Sequence, residues 1–327
     1  MIITRTPLRI GIAGGGTDIE SSIKCMGQNG KTLNIAVNLY VYVTVKRHSN
    51  LFKERYRLNY SETETVESRD KIKNEIIRNC LEYLNIDEPL YISSVSDVPA
   101  GTGLGSSSAF CVGLLHALHV FRGDKNISRT KLAEEAIHIE LNMVKSPIGI
   151  QDQIGCALGG LKLIEILEGQ KFNLLEHDCS LKNLTAITDQ VCLYWTNLTR
   201  SASSVLSDQA KNNTQNTDNY IAIKNDAEKA MGAIRLGDVN EVGKIIGQSW
   251  ERKRQLSPII SNNDIDRHIT EFYKNNAIGC KLLGAGAGGF ILVLRDLAKN
   301  KIIIESSLDP IRVQPDVDGT VLCANGL

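Results

Sequence analysis

The sequence predicts an α+β protein of two domains, on three observations. Strand-like and helix-like runs are mixed along the chain without the regular βα alternation of a parallel sheet. The 327 residues are enough for one large domain or two of ordinary size. A loop-like stretch, Glu176–Leu184, interrupts the pattern, so domains are expected over residues 1–185 and 186–327.

The elements follow in order. "MIITRTPLRIGIA" and "NIAVNLYVYVTVKRH" (Asn34–His48) are rich in Ile, Val, Thr and Tyr and read as strands, separated by the glycine turn Gly14–Gly16. "RDKIKNEIIRNCLEYLNI" (Arg69–Ile86) has helical spacing at Ile72, Ile76, Cys80, Leu81 and Leu84. "PLYISSVSDVP" is a strand that feeds "AGTGLG", and a helix is expected from Ser106 to about Phe121. Ser128–Val144 is a second helix with Ser128 as N-cap, and Pro147 and Gly149 break the chain after it. In the second half, Val191–Asn197 is a strand, Thr217–Leu236 and Val239–Gln255 are helices, and "AIGCKLLG" and "GGFILVLRD" are strands around a glycine turn.

Charge excludes some classes of partner. Lys+Arg and Asp+Glu both number 37, so nothing pulls the whole molecule toward nucleic acid or an anionic membrane, and any basic site must be local. The eight cysteines form no CxxC pair, and several lie in apolar runs. They are expected to be reduced and buried, as in a cytoplasmic protein. No signal peptide or membrane span is expected. A homodimer is left open.

The stretch "DVPAGTGLGSSSAFCVGLL" carries the chemistry. Gly101, Gly103 and Gly105 let a ligand approach the backbone closely. Ser106, Ser107 and Ser108 then open a helix whose first amides lack intrahelical partners and whose dipole is positive there. This suits a polyphosphate. A plain turn with a serine cap is the bland alternative. Walker A is excluded because the loop has no lysine, and a Rossmann fingerprint because its third glycine comes too early. A triphosphate would be held by amides and hydroxyls, with Mg²⁺ anchored elsewhere.

"PAGTGLGSSSA" resembles motif 2 of the GHMP small-molecule kinases. "PLRIGIAGGGTD" (Pro7–Asp18) and "KLLGAGAGGF" (Lys281–Phe290) look like that family's motifs 1 and 3, in the same order. The resemblance spans nearly the whole chain. It implies the GHMP kinase fold, with a ribosomal protein S5 domain 2-like N-terminal domain and a ferredoxin-like C-terminal domain. It also implies ATP and Mg²⁺ as cofactors, and an active site between the domains. Gly101, Gly103, Leu104, Gly105 and Ser106–Ser108 would then cradle ATP.

Further roles come from the same resemblance. "IELNMVKSPIGIQDQIG" is similar to the galactokinase segment that carries the catalytic aspartate. Glu140 precedes Asp152 by 12 positions, as a glutamate does there. Taken alone, Glu140 reads as a solvated helix carboxylate and Asp152 as a cap. The resemblance makes Asp152 the catalytic residue and gives Mg²⁺ to Ser107 and Glu140. Arg9 and Asp18, nine apart as in galactokinase, would lie near the transferred phosphate and on the sugar hydroxyls. Gly16, Thr17 and Gly286 belong to the same substrate face. His116 and His119, three apart, read as packing residues rather than metal ligands.

"GGGTD", "HIELNMVKSPIGIQDQ" and "SWERKRQLSPIISNNDID" look like the bacterial branch that phosphorylates the anomeric hydroxyl of D-glycero-α-D-manno-heptose 7-phosphate for surface polysaccharide synthesis. Fucokinases share "GGGTD" but are usually fused to larger chains. A sugar phosphate brings a second anion into the cleft, and Arg200 and then Lys145 are the cations expected to meet it. A free-sugar 1-kinase and a non-catalytic sugar and ATP sensor are the alternatives.

Overall fold

The structure, a computed structural model, describes residues 1–124, 126–198, 202–211, 213–295 and 308–326. Two long strands organise the first half. β1 (Ile2–Ala13) pairs along its length with residues 33–45 of β2 (Gly30–Arg47), and α1 (Glu20–Met26) lies between the two in sequence. β3 (Tyr56–Asn59), β4 (Thr63–Val66), α2 (Glu75–Tyr83) and β5 (Leu90–Ser96) come next. α3 (Ser106–Arg122), α4 (Arg129–Ile137), α5 (Gln151–Leu158), β6 (Leu161–Leu167) and β7 (Lys171–Leu175) complete this half. One end of β2 pairs with β6 over 30–35, the other with β5 over 41–47. The strand thus serves two sheet directions, and the register shift of β1 at Pro7/Leu8 marks the bend.

α6 (Leu181–Thr188) leads into β8 (Val191–Trp195), α7 (Ala202–Lys211), α8 (Thr217–Leu236), α9 (Val239–Arg254), α10 (Asn263–Lys274), β9 (Ala277–Leu282), β10 (Phe290–Arg295) and β11 (Pro310–Arg312). These strands form an antiparallel sheet in the order β11-β8-β10-β9. Every residue of central β10, "FILVLR", is buried, which explains its unbroken apolar run. The chain then returns, and β12 (Val321–Asn325) pairs with β1 at the edge of the first sheet. Residue 185, the expected division, falls inside α6, whose cap Ser180 accepts from the Asn183 amide at 3.1 Å.

α3 is the spine of the first half. Ala109, Val112, Leu114, Leu115, Ala117 and Leu118 are fully buried against β1, β2, α4 and α5. Full burial of each leucine contributes about 1.5–3 kcal/mol. A second apolar cluster centres on Tyr194, Trp250, Phe272 and Ile291. No helix among the described residues is long and apolar enough to cross a membrane. The cysteines are free thiols. Five are buried, Cys25 and Cys179 are half-buried, and Cys323 is exposed, so the expected burial does not extend to all eight.

Two helices depart from the expected lengths. The run expected to be helical from Arg69 starts its α-helix only at Glu75, because the Glu64 carboxylate takes the amides of Lys73 and Asn74 at 2.7 and 3.1 Å. Asn74 then caps the Ile77 amide at 3.0 Å. Ser128 caps α4 as expected, accepting from Lys131 N at 3.1 Å. After Ile137, however, the helix widens into a π-helix over His138–Met143, and Val144 N reaches back to Ile139 O at 2.9 Å. Such widened turns recur at functional positions, and this one carries Glu140.

His119 fixes α3 to α4. Its ring bridges Asp124 Oδ2 and Glu135 Oε2, both at 2.6 Å. Burial opposes charge on the ring, but the two carboxylates more than offset it and hold the pKa above the ordinary histidine value. A raised folded-state pKa means that this stabilisation is complete below about pH 6.5 and is lost as pH rises through the folded value. Thermal melts should therefore show His119→Gln costing roughly 3 kcal/mol at pH 6, and distinctly less at pH 9. An equal loss at both pH values would mean that the ring is neutral in the folded protein.

Candidate active site

The cleft lies between the two halves. Gly101, Gly103 and Gly105 adopt φ of 74°, 83° and 77°, a left-handed conformation that side chains resist. They open the loop so that the free N-terminal amides of α3 and the residues Ser106–Ser108 border the cleft. Leu104 does not border it. Its side chain is fully buried in the core, and its carbonyl accepts from Arg9 N at 3.1 Å.

Arg9, in the middle of β1, is 4% exposed. Its Nε and Nη2 both donate to Asp152 Oδ1, at 2.8 and 2.5 Å, and Nη1 donates to Gly103 O at 2.8 Å. Burial works against this guanidinium, but Asp152 outweighs it and keeps the charge firmly in place. Asp152 enters from the first turn of α5. Among the described residues its Oδ2 makes no hydrogen bond, so one carboxylate oxygen is clamped and the other is available to a ligand.

Glu140 is 1% exposed and accepts three hydrogen bonds, each 2.7 Å long, from Ser107 Oγ, Ser108 Oγ and Gln153 Nε2. Burial raises its pKa, and the three donors resist that rise. The π-helix, the start of α3 and α5 thus converge on one carboxylate. Carboxylate and hydroxyl oxygens are what a hard divalent cation takes, so Ser107 and Glu140 fit Mg²⁺. The described residues contain no cluster of three or more His, Cys, Asp or Glu that offers another metal site.

Asp18, also buried, accepts from Gly16 N at 3.1 Å and Gln151 N at 3.3 Å. Burial, then repulsion from Asp152, raises its pKa. Gly149 makes room for it, since a Cβ there would sit 1.9 Å from Asp18 Oδ2. Gly16 and Gly286 border the cleft. Thr17 does not, and its buried hydroxyl braces the turn from within reach of the Gly14 and Lys31 carbonyls, at 2.8 and 2.9 Å. Lys145 is exposed and outside the cleft lining, although its neighbour Ser146 belongs to it. Arg200 lies outside the described residues. His116 pairs with Thr320 Oγ1 at 3.1 Å, and burial drops its pKa to about 4.

Gln209, Lys253 and Lys281, which border the cleft, escape the sequence reading, as does Gln153, the buried donor to Glu140. Lys253 gives a legible sign. It falls on the buried stripe Val242, Ile246, Ser249, Trp250 of α9, where a lysine has no packing reason to be. Burial, then the charge of Arg9, lowers Lys253 to about 8. Burial, then Lys253 and Arg9, lowers Lys281 to about 7.

Residues 71–160 match the family model of the GHMP kinases N terminal domain, and residues 230–306 match that of the GHMP kinases C terminal domain. The D-glycero-alpha-D-manno-heptose 7-phosphate kinase of Campylobacter jejuni is 31% identical over 322 residues, covering 93% of this chain and 92% of that one. The L-fucokinase/L-fucose-1-P guanylyltransferase of Bacteroides fragilis is 26% identical over 94% of this chain, which is 36% of its own length. A crystal structure of a D-glycero-D-manno-heptose 1-phosphate kinase from Bacteroides thetaiotaomicron superposes with a TM-score of 0.78 at 21% identity, over 100% of both chains.

The cleft closes on a glycine seam. A Cβ on Gly284, whose φ is 74°, would lie 2.5 Å from Gly103 Cα, so backbone of the second half touches the phosphate-type loop directly. Gly284→Ala must push the two apart. We expect roughly 1–3 kcal/mol of overpacking cost in a denaturant melt, with Gly27→Ala, which meets nothing within 4 Å, as the control for left-handed strain. Equal losses in the two variants would mean that the seam is not tight.

Proposed function

The chain belongs to the GHMP kinases and is an ATP-dependent sugar kinase, and from that premise we propose that its acceptor is D-glycero-α-D-manno-heptose 7-phosphate, phosphorylated on the anomeric hydroxyl. The observation that carries the mechanism is the Arg9–Asp152 pair, tied to the phosphate loop through the Arg9 bond to Gly103 O. The acceptor is supported by the Campylobacter jejuni heptose 7-phosphate kinase, which matches over nearly the whole of both chains.

The geometry supports the following roles. The triphosphate lies along the loop amides and Ser106–Ser108. Ser107 and Glu140 would hold Mg²⁺, which would supply charge neutralisation at the phosphates. Asp18 receives sugar hydroxyls, since a carboxylate accepts at both oxygens. Asp152 Oδ2 accepts the reacting hydroxyl, and Arg9 both orients that carboxylate and faces the developing charge. The hydroxyl oxygen bonds to the γ-phosphorus as the bond from that phosphorus to the bridging oxygen breaks. The electron pair leaves on ADP, and the hydroxyl proton passes to Asp152. In a loose transition state that proton leaves late, so orientation matters more than basicity.

Three measurements test this reading. ATP consumption across a panel of heptose 7-phosphate, unphosphorylated heptose, L-fucose and galactose should favour the first, with a 1,7-bisphosphate as product. Preference for L-fucose would move the chain to the free-sugar branch, as the Bacteroides fragilis relative suggests. Asp152→Asn should lower kcat by about 10²–10⁴-fold with ATP affinity retained. Near-wild-type turnover would remove Asp152 from the reaction. Glu140→Gln and Ser107→Ala should each raise the Mg²⁺ concentration for half activity, and an unchanged requirement in both would move the metal elsewhere.

A further inference from the structure

We propose that Lys253, braced by Lys281, is a second cation on the transferred phosphoryl group, supplied by the second domain opposite Arg9. This rests on the kinase reading above but not on the identity of the sugar.

The first ground is the cost of these lysines. Both border the cleft, and they are only 8% and 4% exposed. Other cations around the cleft and beside α8 have carboxylate partners: Arg9 with Asp152, Lys31 with Glu228, Arg252 with Asp226. Among the described residues, neither Lys253 nor Lys281 has a carboxylate within 4.0 Å. Lys253 Nζ donates to Gly284 O, and Lys281 Nζ to Ile12 O at 3.2 Å. Burying an ammonium without a counter-charge costs several kcal/mol. Two adjacent ones are a place prepared for an anion that arrives with the ligand.

The second ground is where that anion must sit. Gly284 lies on Gly103 across the glycine seam. The Lys253 ammonium is on the Gly284 carbonyl, and the Arg9 guanidinium is on the Gly103 carbonyl. The two cations therefore flank the seam where the donor loop meets the acceptor carboxylates. An ammonium has three donors, and the carbonyl takes one. The others are free to meet phosphoryl oxygens. Lys253 shares the cleft with Arg9, Asp18 and Asp152 and feels the charge of all three.

Lys281 is a positioning residue. Its neighbours are Lys253, Arg9 and Asp226, and Asp226 is already engaged by Arg252 at 2.5 Å. Held on the Ile12 carbonyl, its like charge opposes any movement of the Lys253 ammonium toward it. Lys253 stays protonated through transfer, with bonds forming and breaking as described above.

The test begins with Lys253→Met, which keeps the apolar stem and removes the charge. We expect kcat to fall about 10- to 100-fold, with KM for the sugar changed by less than about threefold. Affinity for ADP should be retained, while the preference for β,γ-imido-ATP over ADP is lost. Lys253→Arg should recover part of both. Lys281→Met should weaken the preference for β,γ-imido-ATP over ADP by less than Lys253→Met does, with KM for the sugar changed by less than about threefold. Should Lys253→Met fail to fold, Lys253→Gln reads the same quantities. A raised KM for the sugar phosphate with kcat intact would overturn the proposal and give Lys253 to the acceptor's own phosphate. Unchanged kcat and unchanged nucleotide preference would also overturn it. Nucleotide discrimination needs no sugar, so a wild-type enzyme active on a different sugar would refute the acceptor reading and leave this one standing.

Discussion

The buried ion pair of Arg9 and Asp152 is the interaction on which the rest of the cleft depends. A guanidinium 4% exposed in the middle of a strand is held there only by a carboxylate and by hydrogen bonds on its remaining donors. That requirement sets the position of α5, which must present Asp152 to β1. It also sets the donor loop, which must present the Gly103 carbonyl. Gly155, one turn beyond Asp152, accommodates the Arg9 stem, since a Cβ there would approach Arg9 Cγ at 3.3 Å. One side chain thereby gauges the distance between the loop that holds the donor and the carboxylate that faces the acceptor.

The same economy governs the second carboxylate. Glu140 is buried on a π-helix and would be expensive to ionise alone, yet it receives three donors from two other segments, the start of α3 and α5. The His119 bridge to Glu135 holds α3 and α4 in register, so the serines at one end of α3 meet the glutamate that follows α4. Packing at one end of α3 thus sets how the Ser107 and Ser108 hydroxyls meet Glu140 at the other. A lysine in the loop would bring its own charge. Here neutral amides and hydroxyls are enough because the charged groups are delivered by other elements, each fixed by its own hydrogen bonds.

Much of this was legible in the sequence. Wherever local chemistry decides the structure, as in the strands β1, β2, β8, β9 and β10, the helix from Ser106 and the Ser128 cap, periodicity and capping residues were enough. The site residues Arg9, Asp18, Ser107, Glu140 and Asp152 were reached through resemblance to a family, and the structure brings all five to one cleft. What stayed hidden depends on distant partners. Glu64 delays α2, the π-helix interrupts an otherwise regular pattern, and β12 crosses back to β1 from the far end of the chain. Lys145 looked close to the site because it lies between Glu140 and Asp152 in sequence. At φ 61° it is exposed and outside the cleft lining, while Ser146 borders the cleft.

Charge balance accounts for how the two domains divide the work. Without ligand, the first domain offers Arg9 with Asp18, Asp152 and Glu140, an excess of negative charge at the mouth of an anion site. Asp18 and Glu140 respond to burial with raised pKa values. The second domain answers with Lys253 and Lys281, both pushed down by burial and by neighbouring positive charge. Neither surface is comfortable by itself. Brought together, each set relieves the other only in part, because neither lysine has a carboxylate within ion-pair distance among the described residues and the glycine seam sets how closely the halves approach. The deficit is largest at the seam between Gly103 and Gly284, where an incoming phosphoryl group adds negative charge beside Arg9 and Lys253. Phosphoryl transfer needs that charge stabilised without reorganising the protein at the moment of reaction. A seam made of glycine backbone, with cations fixed on both sides, meets that requirement because the stabilising groups are in place before the substrate arrives.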